Sequence, residues 1–128
     1  MPRRADILPE DIAAALGWVN LLEVRDTPPR FRFRLVGSMI AEVQGRDYTN
    51  HTIDDIAPSE YRTAIVKTYE EAVAAAAPIA HNISWASPAG DLSYVKVSVP
   101  FSEDGSRVNM LLTCTTVNRD WSKALKGA

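Results

Sequence analysis

Between residues 30 and 35 arginines and apolar side chains alternate: Arg30, Arg32 and Arg34 against Phe31, Phe33 and Leu35. A period of two puts each set on its own face of a β-strand. The pattern predicts a strand over 31–36 with Phe31, Phe33 and Leu35 dry and the arginines solvated, their stems covering apolar surface. Upstream, residues 18–24 (Trp-Val-Asn-Leu-Leu-Glu-Val) are rich in strand formers. Between the two runs, Asp26-Thr27-Pro28-Pro29 is turn chemistry, since neither proline can donate to a central ladder. A hairpin results. Gly37 ends its second strand, and Ser38 can cap a helix running through Gln44 and closed by Gly45.

A short helix is expected before the hairpin, over 9–16, with Pro9 in its first turn, Glu10 and Asp11 at its positive end and Gly17 as a stop. Ile12 and Leu16 give it one apolar stripe, so it must dock on something. Residues 46–57 are polar and turn-rich, with one helical turn near Asp54-Asp55-Ile56. A strong helix follows over 59–77, its apolar set Ile65, Val66, Tyr69, Val73 and Ala76 at three- and four-residue spacing, stopped by Pro78. The last third reads as strands over 79–86, 92–100 and 107–117, broken at Ser87–Asp91 and Ser102–Ser106. A final helix over 120–126 carries Trp121 and Leu125 on one side. The organisation is thus an N-terminal helical cap (1–17), a central domain (18–118) and a C-terminal helix or linker (119–128). Two strands, helices, then three strands in series predict an α+β fold, a five-stranded antiparallel sheet with helices on one face. A small-molecule pocket can form beneath such helices.

With 128 residues and 46% hydrophobic content the chain can bury a core without disulfides or metals. A formal net charge of -2 argues against nucleic acid as a partner. The single cysteine, Cys114, permits no intramolecular disulfide and no thiol-rich metal site, which fits a reducing, cytoplasmic setting. No apolar window approaches a membrane span, and no signal-peptide core follows Arg3-Arg4.

Three stretches carry a family resemblance. Phe31-Arg32-Phe33-Arg34-Leu35-Val36-Gly37-Ser38-Met39-Ile40, the turn Gly45-Arg46-Asp47, and Val99-Pro100-Phe101-Ser102-Glu103-Asp104-Gly105 resemble the PAS domains. The likeness is closer to a bacterial subfamily, common in alphaproteobacteria, that often stands alone, and it covers roughly residues 8–118. One departure is Asn50, where that subfamily tends to carry glycine; asparagine is the next-best residue for a left-handed backbone. The resemblance implies a cytosolic sensory module, often dimeric, that binds a ligand or transmits a partner's state.

Cofactor chemistry can be tested by position. Haem-binding PAS domains generally supply an axial histidine from the long roofing helix, and residues 59–77 contain none. Photoactive flavin PAS domains need a cysteine in an Asn-Cys-Arg motif beside that helix, whereas Cys114 falls in the last strand and reads as a small buried hydrophobe. No cofactor and no metal are therefore expected. His51 reads as an exposed turn residue, and His81, on the Ile79–Ile83–Trp85 parity, as a core or interface histidine. Asp54 and Asp55 are adjacent and cannot converge on one atom; with Glu42 and Asp47 they read as helix caps and turn solvation. No nucleophile elbow or phosphate loop appears, and no enzyme activity is expected.

Polar residues among apolar strand neighbours mark the pocket better: Asn20, Ser98, Asn109, Thr113, Tyr94 and Trp85. The candidate pocket set is Phe31, Phe33, Met39, Ile40, Ile65, Tyr69, His81, Trp85, Ser98 and Thr113. Parity in the last strands stays open, because Val95, Val97 and Val99 compete with Tyr94, Lys96 and Ser98 for the dry face, and a one-residue slip inverts every assignment. The expected function is a sensory or regulatory module that binds a small molecule or a signalling protein and relays it through terminal helices or a homodimer interface. The dimer surface would be built on Trp18, Trp85 and the first helix. The competing readings are a small cone-like α+β enzyme and a purely structural dimerisation unit.

Overall fold

The computed structural model describes residues 17–44, 46–87 and 90–115. The helices expected over 9–16 and 120–126 lie outside the described residues. Within them the chain forms β1 (Val19–Val24), β2 (Phe31–Val36), α1 (Ser38–Gln44), a single 3-10 turn (Ile53–Asp55), α2 (Ser59–Ala75), β3 (Ile79–Ser87), β4 (Gly90–Phe101) and β5 (Met110–Thr115). The strands make one antiparallel five-stranded sheet in the order β2-β1-β5-β4-β3. The hairpin of β1 and β2 and the meander of β3, β4 and β5, both expected from turn chemistry, meet through β1 and β5, whose pairing sets Asn20 opposite Thr113 and Leu22 opposite Leu111.

β5 begins three residues later than the strand expected from 107. Asp104 Oδ1 accepts hydrogen bonds from the backbone amides of Ser106 and Arg107, both at 2.9 Å. These bonds, with those from the Ser102 and Ser106 hydroxyls, hold its carboxyl well below the usual carboxylate range. The turn so capped runs to Arg107. Pairing resumes beyond it, where the Asn109 amide donates to the Phe101 carbonyl at 3.0 Å.

The alternation in β2 breaks once. Leu22 faces Phe33, but Leu21 faces Leu35, so Arg34 is an extra residue in a β-bulge. The slip turns Leu35 onto the outer face, where it is 41% exposed, and brings Val36 into the core. Leu35 is therefore not dry, contrary to the simple period. The arginines are solvated as expected and share acids: Arg25, Arg32 and Arg34 lie 3.5–3.8 Å from Glu23, and Arg30 Nε donates to Glu70 at 2.7 Å.

Gly37 stands where β2 becomes α1. Its amide donates to the Val19 carbonyl at 2.8 Å, and a Cβ there would lie 2.4 Å from the Gly17 carbonyl oxygen. Backbone cannot yield as a flexible side chain can, so this crossing requires glycine. The segment after α1 returns to the free edge of β2. Phe33 exchanges hydrogen bonds with it, its amide donating to His51 O and its carbonyl accepting from Asn50 N, at 2.9 and 2.7 Å. Asn50 adopts φ 69°, the left-handed conformation anticipated for it. Asn50→Gly should keep the stability of the domain and Asn50→Ala should lower it by about 1 kcal/mol, as read from urea denaturation curves.

α2 lies over the sheet on the face of Tyr61, Ile65, Thr68, Tyr69 and Ala72. Val66 and Val73 sit at its margins, and Ala76 is not part of the stripe: it is the left-handed C-cap, its amide donating to Ala72 O. The core between α2 and the sheet is closed by Leu22, Phe31, Ile40, Ile53, Ile56, Ile83 and Leu111, all buried.

Candidate functional site

β4 settles the open parity. Tyr94, Lys96, Ser98 and Pro100 face the helices and are buried, while Val95 and Val97 point to the opposite face and are 37% and 40% exposed. The helix-facing surface of the sheet is therefore polar at its centre. Register places Asn20, Thr113 and Ser98 in one cross-strand row, and Thr115, Lys96 and His81 in the next. A cavity of about 20 Å³ lies against these rows, enough for about one water. Asn20, Lys96, Thr113 and Thr115 form its floor from the sheet, with Tyr94 and Phe33 at the sides. Tyr61, Ile65 and Tyr69 of α2 roof it, with Ile40 of α1 and Ile56.

Lys96 is only 3% exposed. Its ammonium donates to Thr68 Oγ1, whose own hydroxyl donates to the Ile65 carbonyl at 2.7 Å, and sits 4.0 Å from the centroid of the Tyr69 ring. The ring face attracts a cation, yet burial dominates and pushes the amine down from 10.5 to about 7. Beside it the Tyr61 and Tyr94 hydroxyls share a hydrogen bond of 2.5 Å. Burial drives the Tyr94 phenol well above its ordinary value, with the neighbouring Tyr61 adding to the effect, and Tyr69 is likewise raised by burial. Among the described residues, Asn20 Oδ1, Ser98 Oγ and Thr113 Oγ1 are buried with no hydrogen-bond partner. Each such atom costs on the order of 1–3 kcal/mol, so three in one patch mark a place where packing was not optimised for stability alone.

Of the residues expected at a pocket, Phe33, Ile40, Ile65, Tyr69 and Thr113 line this cavity. Ser98 is fully buried next to Thr113, and Phe31 packs against Tyr69, their ring centroids 5.3 Å apart. Met39 lies outside it, 40% exposed, because the first turn of α1 points it away from the core. His81 faces a separate groove of about 250 Å³ between α2 and β3, where its Nε2 bonds Glu71 Oε2 at 2.7 Å. Trp85 belongs to β3, opposite Leu92 in register, but its side chain lies outside the described residues. Sequence reasoning did not single out Tyr61, Ile56 or Thr115, and it named Lys96 only as a competitor with the valines for the dry face of β4, with the parity left open.

The remaining polar candidates serve local structure. Asp47 accepts from the amide and hydroxyl of Thr49, which lowers its carboxyl, and Asp55 is lowered by its bond with His51 Nδ1 at 3.1 Å. Cys114 is exposed on the outer sheet face, not buried: its register partner on β4 is Val97, which shares that face and is itself exposed. No group of three or more His, Cys, Asp or Glu arranged for a metal occurs among the described residues.

With this geometry in hand, a family model described as PAS domain matches residues 1–114. The chain is a PAS domain. Solved structures agree on the fold at low sequence identity. The PAS domain from Bordetella pertussis BvgS superposes with a TM-score of 0.63 at 10% identity, covering 86% of this chain and 84% of that one. The LOV domain of the blue-light photoreceptor Aureochrome1 does so with 0.57 in its light state, at 10% identity and coverage of 94% and 96%. Its dark state gives 0.59 at 10% identity, covering 91% and 87%. A search of curated proteins finds no match. At these identities the likenesses show the fold.

Proposed function

We propose that this PAS domain is a sensory module that binds a small, non-covalent ligand in the cavity between its sheet and α2, and passes occupancy on through its terminal segments or a dimer interface. The observation that carries the reading is the buried polar patch of Lys96, Asn20, Ser98 and Thr113, three of whose atoms lack partners. A domain selected only to pack would fill this position with apolar side chains and gain stability. The module has no enzymatic role in this reading and acts in the cytoplasm. Occupancy biases two packings of α2 on the sheet, a population shift that a partner or second copy can read.

Native mass spectrometry of the protein purified from cells tests this. A retained small-molecule mass is expected, lost in Thr113→Val, while the same variant melts higher because an unpaired buried hydroxyl has become a methyl. A spectrum of protein alone, with Thr113→Val unchanged in every signalling readout, would refute ligand sensing and leave protein–protein interaction as the function.

A further inference from the structure

Granted that the cavity is a ligand site, charge and hydrogen-bonding capacity narrow what fits it. Among the described residues, Lys96 is the only charged side chain on the cavity wall. Among the described residues no carboxylate pairs with it; its ammonium is met by the Thr68 hydroxyl and the Tyr69 ring, both neutral. A buried cation without a counter-ion is an unbalanced site. Beside it, Ser98 and Thr113 face each other across β4 and β5, and each carries a buried hydroxyl free to donate among the described residues. The Lys96 cation and the Thr113 hydroxyl on the cavity floor, under the apolar side chains of Ile40 and Ile65, complement one negative charge shared by two oxygens on a short apolar tail. A phosphate dianion or a dicarboxylate would bring a second charge that no described cation on the cavity wall meets.

We propose that the cavity binds a small monocarboxylate of about two to four carbons, its carboxylate on Lys96 and Thr113 and its tail toward Ile40 and Ile65. The space present, about 20 Å³, accepts the head group only in place of a water. The tail must lift α2 from the sheet, and the Lys96–Thr68 bond that ties α2 to β4 is exchanged for the bond to the anion. Binding and displacement of α2 are thereby one event.

Calorimetric titration with propionate and with its neutral analogue propionamide tests the proposal. Saturable propionate binding is expected, about tenfold weaker at pH 8 than at pH 6 because the bare amine titrates at about 7. At pH 8 binding should take up protons, seen by repeating the titration in buffers of different ionisation enthalpy. The other titratable groups facing Lys96 are Tyr61 and Tyr69 of α2, Glu71 of α2 through His81 of β3, and Tyr94 of β4. Burial keeps Tyr69 and Tyr94 neutral throughout. His81→Gln should leave the tenfold change intact. Lys96→Met should lose propionate binding while still melting cooperatively. Equal affinity for propionamide and propionate, retained in Lys96→Met, would overturn the anion and leave a neutral-ligand site standing. Propionamide bound by the wild type as tightly as propionate overturns it as well, and needs no variant to fold. If neither compound binds, the carboxylate is excluded, and the mass-spectrometric test above decides separately whether any ligand is bound.

Discussion

Lys96→Met should stabilise the domain at pH 7 by about 1–4 kcal/mol and flatten its dependence on pH. The sign follows from where the proton is held. Burial lowers the amine from 10.5 in the unfolded chain to about 7 in the fold. Between those values the unfolded chain binds more protons, so stability rises with pH across the window. Below pH 7 both states are protonated and the full cost of burying the charge is present. Above about pH 10.5 both are neutral and the cost is gone. The gap corresponds to about 5 kcal/mol at roughly 1.4 kcal/mol per tenfold in proton affinity, and methionine recovers part of it by filling a similar volume without a charge. At the alkaline end a second effect enters with opposite sign. Tyr69 and Tyr94 titrate above their ordinary value in the fold, so the unfolded chain ionises first and stability falls beyond about pH 10. Urea denaturation from pH 6 to 11 should therefore show a wild-type maximum near pH 10 and, in Lys96→Met, a plateau that declines only with the tyrosines. A variant less stable than wild type at pH 7 would mean that Lys96 is a net stabilising residue, and the reading of the patch as a functional cost would fail.

Phe31→Ala should cost about 3–5 kcal/mol. The ring is 1% exposed, packs at 58° to the Tyr69 ring, and has the Arg30 guanidinium 5.6 Å from its centroid. It is a contact between β2 and α2, so truncation leaves a void bounded by both. Against a typical total of about 5–15 kcal/mol, the loss should appear as a large fall in the urea midpoint without change in slope. A loss below about 1 kcal/mol would show that the site collapses freely and that α2 is not fixed on this side of the sheet.

These two residues also mark what could be read without coordinates. Phe31 was legible: strict alternation from Arg30 to Arg34 assigned it to the dry face, and the hairpin, α1, α2 and the meander followed from turn residues and spacing. Asn50 was legible too, because few residues tolerate positive φ. Leu35 was misassigned because a bulge depends on the pairing of two strands, and nothing within β2 announces it. Cys114 was misplaced for a related reason: its face is decided by the register of β5 against both neighbours.

The buried lysine lies furthest from what local pattern can reach. In Tyr94-Val95-Lys96-Val97-Ser98 the usual partition sends valine inward and lysine to water, and the fold does the reverse. The sequence by itself determined an α+β chain of five strands and a roofing helix, because element type and order depend on neighbours a few residues apart. Which face of β4 is dry, and therefore that a lone cation stands beneath α2 with unpaired hydroxyls beside it, was decided only by the tertiary structure. Side-chain facing is a binary choice set by long-range strand register, and the same alternating pattern satisfies either answer.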